Sequence, residues 1–173
     1  MIEPPSTHPA PALDQDVREA ADEIAPLARE LAPETERQRR LPDELVARLR
    51  ASGVMLAGAP REAGGLELAP GLALAAAEAI ARGDASAGWC VSIAATSSLL
   101  AAYLGPEGRA DLFDDPQRIA AGVWAPRGRA QLVDGGIRVS GRWPYCSGIT
   151  HAEAFFAGSS SRTARPAPAR GPA

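Results

Sequence analysis

Two short runs bring aromatic, small and hydroxyl-bearing residues together: Gly122-Val123-Trp124-Ala125-Pro126-Arg127-Gly128-Arg129-Ala130 and Val139-Ser140-Gly141-Arg142-Trp143-Pro144-Tyr145-Cys146-Ser147-Gly148. Rings supply stacking surface, while the Ser147 hydroxyl and backbone N–H groups supply polar contacts, a mix suited to a flat aromatic ligand. The competing reading is that Trp124, Trp143 and Tyr145 plug the joint between helices and sheet. Groups that drive chemistry directly are sparse. The chain has no G-x-S-x-G elbow, phosphate-binding loop, dinucleotide glycine fingerprint or H-E-x-x-H pair. His8 sits in a Pro-rich leader; His151 serves either a site or its own loop. Cys90, beside Trp89 in an apolar run, reads as core, and nothing next to Cys146 marks it as a nucleophile. The two cysteines match no metal-ligand spacing. Glu78 and Glu153 have no evident partner, and Asp114-Asp115 reads as a solvated helix end.

These runs need a scaffold. Leu13, Val17, Ala20, Ile24, Leu27 and Leu31 recur at three- and four-residue steps, which predicts a helix. Pro26 should kink or split it by removing a backbone donor, and residues 34–40 read as a charged connector. Pro42-Asp43-Glu44 opens a second helix with Leu45, Val46 and Leu49 on its buried face and Gly53 at its end. Two apolar helices follow over residues 71–82 and 85–104, the second capped by Asp84 or Ser86, and a short one over 106–114. At Arg118 the period changes to about 2. Strands are expected over 119–124, 130–133, 137–142 and 154–157, with a Pro/Gly turn after the first and a hairpin at Asp134-Gly135-Gly136.

The fold class is therefore α+β: a helical domain of about five helices over residues 13–116, then the start of an antiparallel β-domain over 117–158. Residues 1–12 read as a disordered leader. Residues 159–173 hold only Ser, Arg, Thr, Ala, Pro and Gly. All 18 basic residues are Arg, with no Lys or Asn, the vocabulary of GC-rich DNA in any frame. The tail is thus either a disordered linker or an out-of-frame translation.

With 173 residues the chain holds one domain, or one and part of another. A net charge of −3 with scattered arginines argues against nucleic acid as a partner. The apolar stretches read as too short or interrupted to span a membrane, and no basic region precedes an apolar one at the N-terminus. The expectation is a cytoplasmic protein with no membrane partner and no metal.

The order of helices, Gly64-Gly65, Asp84-Ala85-Ser86-Ala87-Gly88-Trp89, Ala125-Pro126-Arg127-Gly128-Arg129-Ala130 and the Val139–Gly148 run resembles the acyl-CoA dehydrogenase superfamily. Within it, the chain is most similar to two-component flavin-dependent monooxygenases that hydroxylate aromatic or polycyclic substrates. The resemblance covers residues 13–158 and implies an N-terminal helical domain, a middle β-domain and a C-terminal four-helix bundle, with flavin (FAD or FMN) between the last two. It places Val123, Trp124 and Ala125 where dehydrogenases carry Leu-Thr-Glu before the proline, and Tyr145, Cys146 and Ser147 where they carry Trp-Ile-Thr against the ring. Trp89 falls at an aromatic position near the substrate cavity. Trp124 and Ala125 depart from Thr-Glu, which points to the monooxygenase branch.

The resemblance further implies a small-molecule substrate, a flavin reductase partner and a homotetramer in complete members. The resemblance places the family's catalytic residues in the bundle, beyond the residues it covers here, so no catalytic residue is assigned. A flavin held by one wall keeps part of its contacts yet loses the same rigid-body freedom, about 4–15 kcal/mol. Binding is expected to be weak or absent, and the fragment inactive. A dehydrogenase-type fragment acting on acyl thioesters and a non-catalytic helical interaction module are the alternatives.

Overall fold

The computed structural model describes residues 11–113, 115 and 118–161. The expected leader up to residue 10, the tail from residue 162 and Asp114 lie outside them. The described residues group into two compact units, one running to Ala121 and including Ser147–Phe155, the other holding Gly122–Cys146 and the strand residues from Phe156.

The first helix, α1 (Pro11–Gln38), begins two residues earlier than expected and runs unbroken through Pro26 and Pro33. Neither proline splits it. Both are exposed, so the carbonyl that each leaves unpaired one turn upstream lies on the solvent side, while Val17, Ala21, Ile24 and Ala28 form a continuous buried stripe. The expected connector over 34–40 is helical as far as Gln38, because Thr35 is buried and returns its hydroxyl to the Leu31 carbonyl at 3.2 Å. The short helix α2 (Asp43–Ala51) follows, buries Leu45, Val46 and Leu49, and ends at Gly53 in the left-handed region. Next come α3 (Pro70–Ala81) and α4 (Ala85–Ser98), the latter started by Asp84, whose Oδ1 accepts the Ala87 N–H at 2.7 Å. The last helix is α5 (Pro106–Phe113). Arg82 pairs with Glu78 one turn away at 2.8 Å, giving Glu78 the partner that sequence did not show.

One core joins α1, α2, α3 and α4 through Leu41, Leu45, Leu49, Val54, Ile80 and Val91. Its tightest seam is between α3 and α4, where Gly88 lies against Ala81 and the Ala77 carbonyl with no room for a Cβ. With the 3-10 turn that continues it, α4 spans Ala85–Tyr103 and is long and apolar enough, by length and composition, to cross a membrane. The expectation of apolar stretches too short or interrupted to span is corrected for this stretch. Ser and Thr spaced through it break the apolar run without breaking the helix, and Ala87, Val91, Ala94 and Ala95 are buried in the core.

The sheet order is β2-β1-β3. Strand β1 (Ala120–Val133) is one long strand where two strands and a Pro/Gly turn were expected. Pro126 is tolerated because pairing with β2 (Gly136–Ser140) starts only at Arg129, leaving residue 126 outside that ladder. The β1–β2 hairpin is antiparallel from Arg129↔Ser140 to Val133↔Gly136, turning at Gly135 with φ +80°. The sheet as a whole is mixed, a correction to the antiparallel expectation. On β1's other side, β3 (Ala154–Ser161) runs in the same sense, since Phe156 meets Gly122 and Ser160 reaches Gly128. The residues between β2 and β3 return the chain to the start of β1, which permits parallel pairing. Ser159, Ser160 and Ser161, expected in the tail, belong to this strand.

Candidate functional site

Trp89 sits in the second turn of α4, placed by the Asp84 cap. Its indole Nε1–H donates to Ser147 Oγ at 2.9 Å, joining two residues 58 apart in sequence. Because the Ser147 oxygen accepts from Trp89, its own proton is left to donate to another group.

Ser147 is held through the residues that follow it. Gly148, at φ +78°, turns the chain into a 3-10 turn, Ile149–His151. His151 is 6% exposed, and its Nε2 accepts the Leu41 N–H at 3.1 Å. Arg50 donates to the His151 carbonyl at 2.9 Å and pairs with Glu153, whose other oxygen accepts the Ile119 N–H at 3.0 Å. Burial lowers the His151 pKa, Arg40 and Arg50 lower it further, and Asp43 and Glu153 oppose them. Burial pushes the Glu153 carboxyl up, but the Ile119 N–H and Arg50 outweigh it and hold it below its usual range. His151 also borders an open cleft of about 750 Å³ whose other lining residues include Arg29, Arg39, Cys90 and Thr150.

Val123, Trp124 and Ala125 lie on β1, the last two exposed. The Trp124 ring leans on Phe156 with centroids 4.8 Å apart and planes at 60°, yet 60% of the residue is exposed. Trp143 donates its Nε1–H to the Gly158 carbonyl at 2.7 Å and packs against Gly128 and Gly141, so its ring is committed to packing beside β1 and β3. Tyr145 is different: 95% exposed and at φ +62°, a left-handed conformation that is a genuine outlier for a bulky residue. Of the residues expected at the site, the structure brings Trp89 and Ser147 into contact, with Cys146 next to Ser147 in the chain; Val123, Trp124 and Ala125 form a separate group on β1. Sequence reasoning missed the Arg50–His151–Glu153 cluster. Leu41 and His151 are 110 residues apart, so no spacing signals the pairing.

Neither thiol is activated by its surroundings. Burial, aided by the Asp84 charge, pushes Cys90 up to about 11, and burial raises Cys146. At pH 8 Cys90 stays almost wholly the thiol, and it is the thiolate that reacts. Alkylation of the folded chain with iodoacetamide, followed by mass spectrometry, should therefore modify Cys90 far more slowly than it does after unfolding. Among the described residues, no three His, Cys, Asp or Glu side chains gather as a metal site.

Residues 10–111 match the family model for the N-terminal domain of acyl-CoA dehydrogenases. The chain belongs to the acyl-CoA dehydrogenase family. It is 34% identical over 145 residues to the oxygenase subunit HsaA, a flavin-dependent monooxygenase of Mycobacterium tuberculosis, covering 83% of this chain and 37% of that protein. The crystal structure of the M. tuberculosis HsaA monooxygenase superimposes with a TM-score of 0.81 at 34% identity, over 86% of this chain and 41% of that one. XiaF from a Streptomyces species, solved with FADH2 and glycerol, gives a TM-score of 0.78 at 30% identity over 86% and 38% of the two chains. This chain thus spans about two fifths of the length of the relatives it matches. The family's two-part order of helices and then strands is what the structure shows.

Proposed function

We propose that this chain is the N-terminal part of an oxygenase that hydroxylates an aromatic or polycyclic small molecule, using dioxygen and reduced FAD or FMN from a separate reductase. In this reading the complete enzyme is a cytoplasmic homotetramer. The observation that supports it is the Trp89–Ser147 hydrogen bond, made by two residues from the runs that carry the resemblance. It fixes a hydroxyl donor suited to a polar edge of a flat ring. Taken group by group, the residue types suit a flavin: Trp124, between Val123 and Ala125 on β1, exposes an aromatic ring, Tyr145 exposes another, and Ser147, by itself, offers a hydroxyl. Trp89 orients Ser147 and contributes its exposed ring face to the substrate side. Bound reduced flavin supplies the activation of dioxygen; this chain's residues bind its ring, orient it and exclude water from one face.

A chimera tests the reading. Residues 13–158 would replace the matching segment of the M. tuberculosis relative, and hydroxylation would be followed with a flavin reductase present. The expected result is reductase-dependent hydroxylation that falls about tenfold on Ser147→Ala, the worth of one lost hydrogen bond. A flavin-loaded chimera that oxidises acyl thioesters and does not hydroxylate would put the chain in the dehydrogenase branch instead.

A further inference from the structure

We propose that His151 is a positioning residue, whose neutral ring latches the segment Ser147–Phe155 to the start of α2, and that protonating the ring releases Ser147 from Trp89. The latch is built from both ends. Leu41, 1% exposed at the turn before α2, offers its N–H to His151 Nε2 at 3.1 Å, and Arg50 from α2 grips the His151 carbonyl at 2.9 Å. Ser147 lies four residues upstream, across a single 3-10 turn, and meets Trp89 at 2.9 Å. An imidazole that accepts at Nε2 carries its proton on Nδ1. Adding a second proton turns the Nε2 acceptor into a donor aimed at another donor. It also strands the buried Leu41 amide.

The surrounding charges do not rescue the cation. Arg40 and Arg50 repel it, while Asp43 and Glu153 are paired to those two arginines. The cleft beside the ring adds Arg29, Glu36 and Arg39 from α1 and the turn after it, and Asp84 from the α4 cap. Burial, reinforced by the arginines, keeps the ring below the ordinary histidine value of 6.5. A ring that titrates lower in the folded chain than in the unfolded one stabilises the fold above 6.5, and that contribution is lost as pH falls through the folded value. The cleft gives water and protons access to an otherwise buried group. The latch is independent of whether the chain binds flavin.

The test is a pH titration of the isotopically labelled chain by NMR, in a His8→Gln background so that only His151 titrates as a histidine. Ring nitrogen shifts at neutral pH should show Nε2 as the unprotonated atom. The Leu41 amide and Trp89 indole signals should then move together on acidification, with one midpoint below 6.5. The Glu153 carboxyl carbon, followed in the same titration, separates its protonation from that of the ring. His151→Gln keeps an acceptor without a titrating group and should abolish the joint movement. A protonated Nε2 at neutral pH, a Trp89 indole that stays still while His151 titrates, or a joint movement that persists in His151→Gln each overturns the proposal. If His151→Gln does not fold, the ring tautomer and the coupled midpoint of the otherwise unaltered chain decide.

Discussion

Gly88→Ala should lower the thermal midpoint by about 6 °C. Helix propensity alone argues the opposite sign, because Ala in a helix interior is favoured over Gly by about 1 kcal/mol. Packing decides. A Cβ at position 88 would lie 2.4 Å from the Ala81 Cβ, 2.7 Å from its Cα and 2.8 Å from the Ala77 carbonyl oxygen. Two of these are backbone atoms of α3, so no rotamer change relieves the clash and the two helices must part. Overpacking of this kind costs about 1–3 kcal/mol, and the rigid obstacle places this site at the upper end. Subtracting the propensity gain leaves about 2 kcal/mol, and a chain of this length loses about 2–4 °C for each. A scanning calorimeter reads the outcome directly, and a raised midpoint would show that the α3–α4 seam has slack.

Leu49→Ala should cost more, about 2–5 kcal/mol, whereas Leu132→Ala should cost less than about 0.5 kcal/mol. The same atoms are deleted in both. Leu49 is 0% exposed in the shared core of the helices, and Leu132 is 79% exposed on the hairpin. The loss at Leu49 is a large share of the roughly 5–15 kcal/mol that holds a domain together. Urea unfolding followed by circular dichroism should show the midpoint falling for Leu49→Ala at nearly constant slope. Equal effects at the two positions would mean that the hairpin face is covered in solution. Leu132 pairs across the hairpin with Ile137, and Ala130 with Val139. Ile137 and Val139 are themselves 63% and 48% exposed, a pattern that favours association through this face.

What was legible in the sequence was local. The α2 boundaries, the Asp84 cap and the Asp134-Gly135 turn depend on residues within a few positions of one another, and they sit close to where spacing puts them. Pro26 misled because a proline is judged by which face it occupies, and that face is set by the distant partners of α1. Pro126 misled likewise: whether a strand tolerates it depends on where the ladder with β2 begins. At the site, the motif run around Ser147 was readable and its contact with Trp89 was not. The Arg50–Glu153 pair was invisible for the same reason, since a side chain's partner across 103 residues leaves no period to detect. The family resemblance supplied what spacing lacked, and the helical part that it implies matches over residues 10–111.

The distance along the chain between Leu41 and His151 also orders events in time. The pairs α1–α3 and α3–α4 close over short or moderate stretches, so they can form while later residues are still being made. The loop closed by His151 on Leu41 spans 110 residues, and closing it yields nothing until the helices already offer a surface to dock on. During synthesis the helical body therefore stands first with Trp89 in place but without its acceptor. Ser147 is set only after residue 153 has emerged and met Arg50, so the hydroxyl takes its place later than the helices that carry its partner.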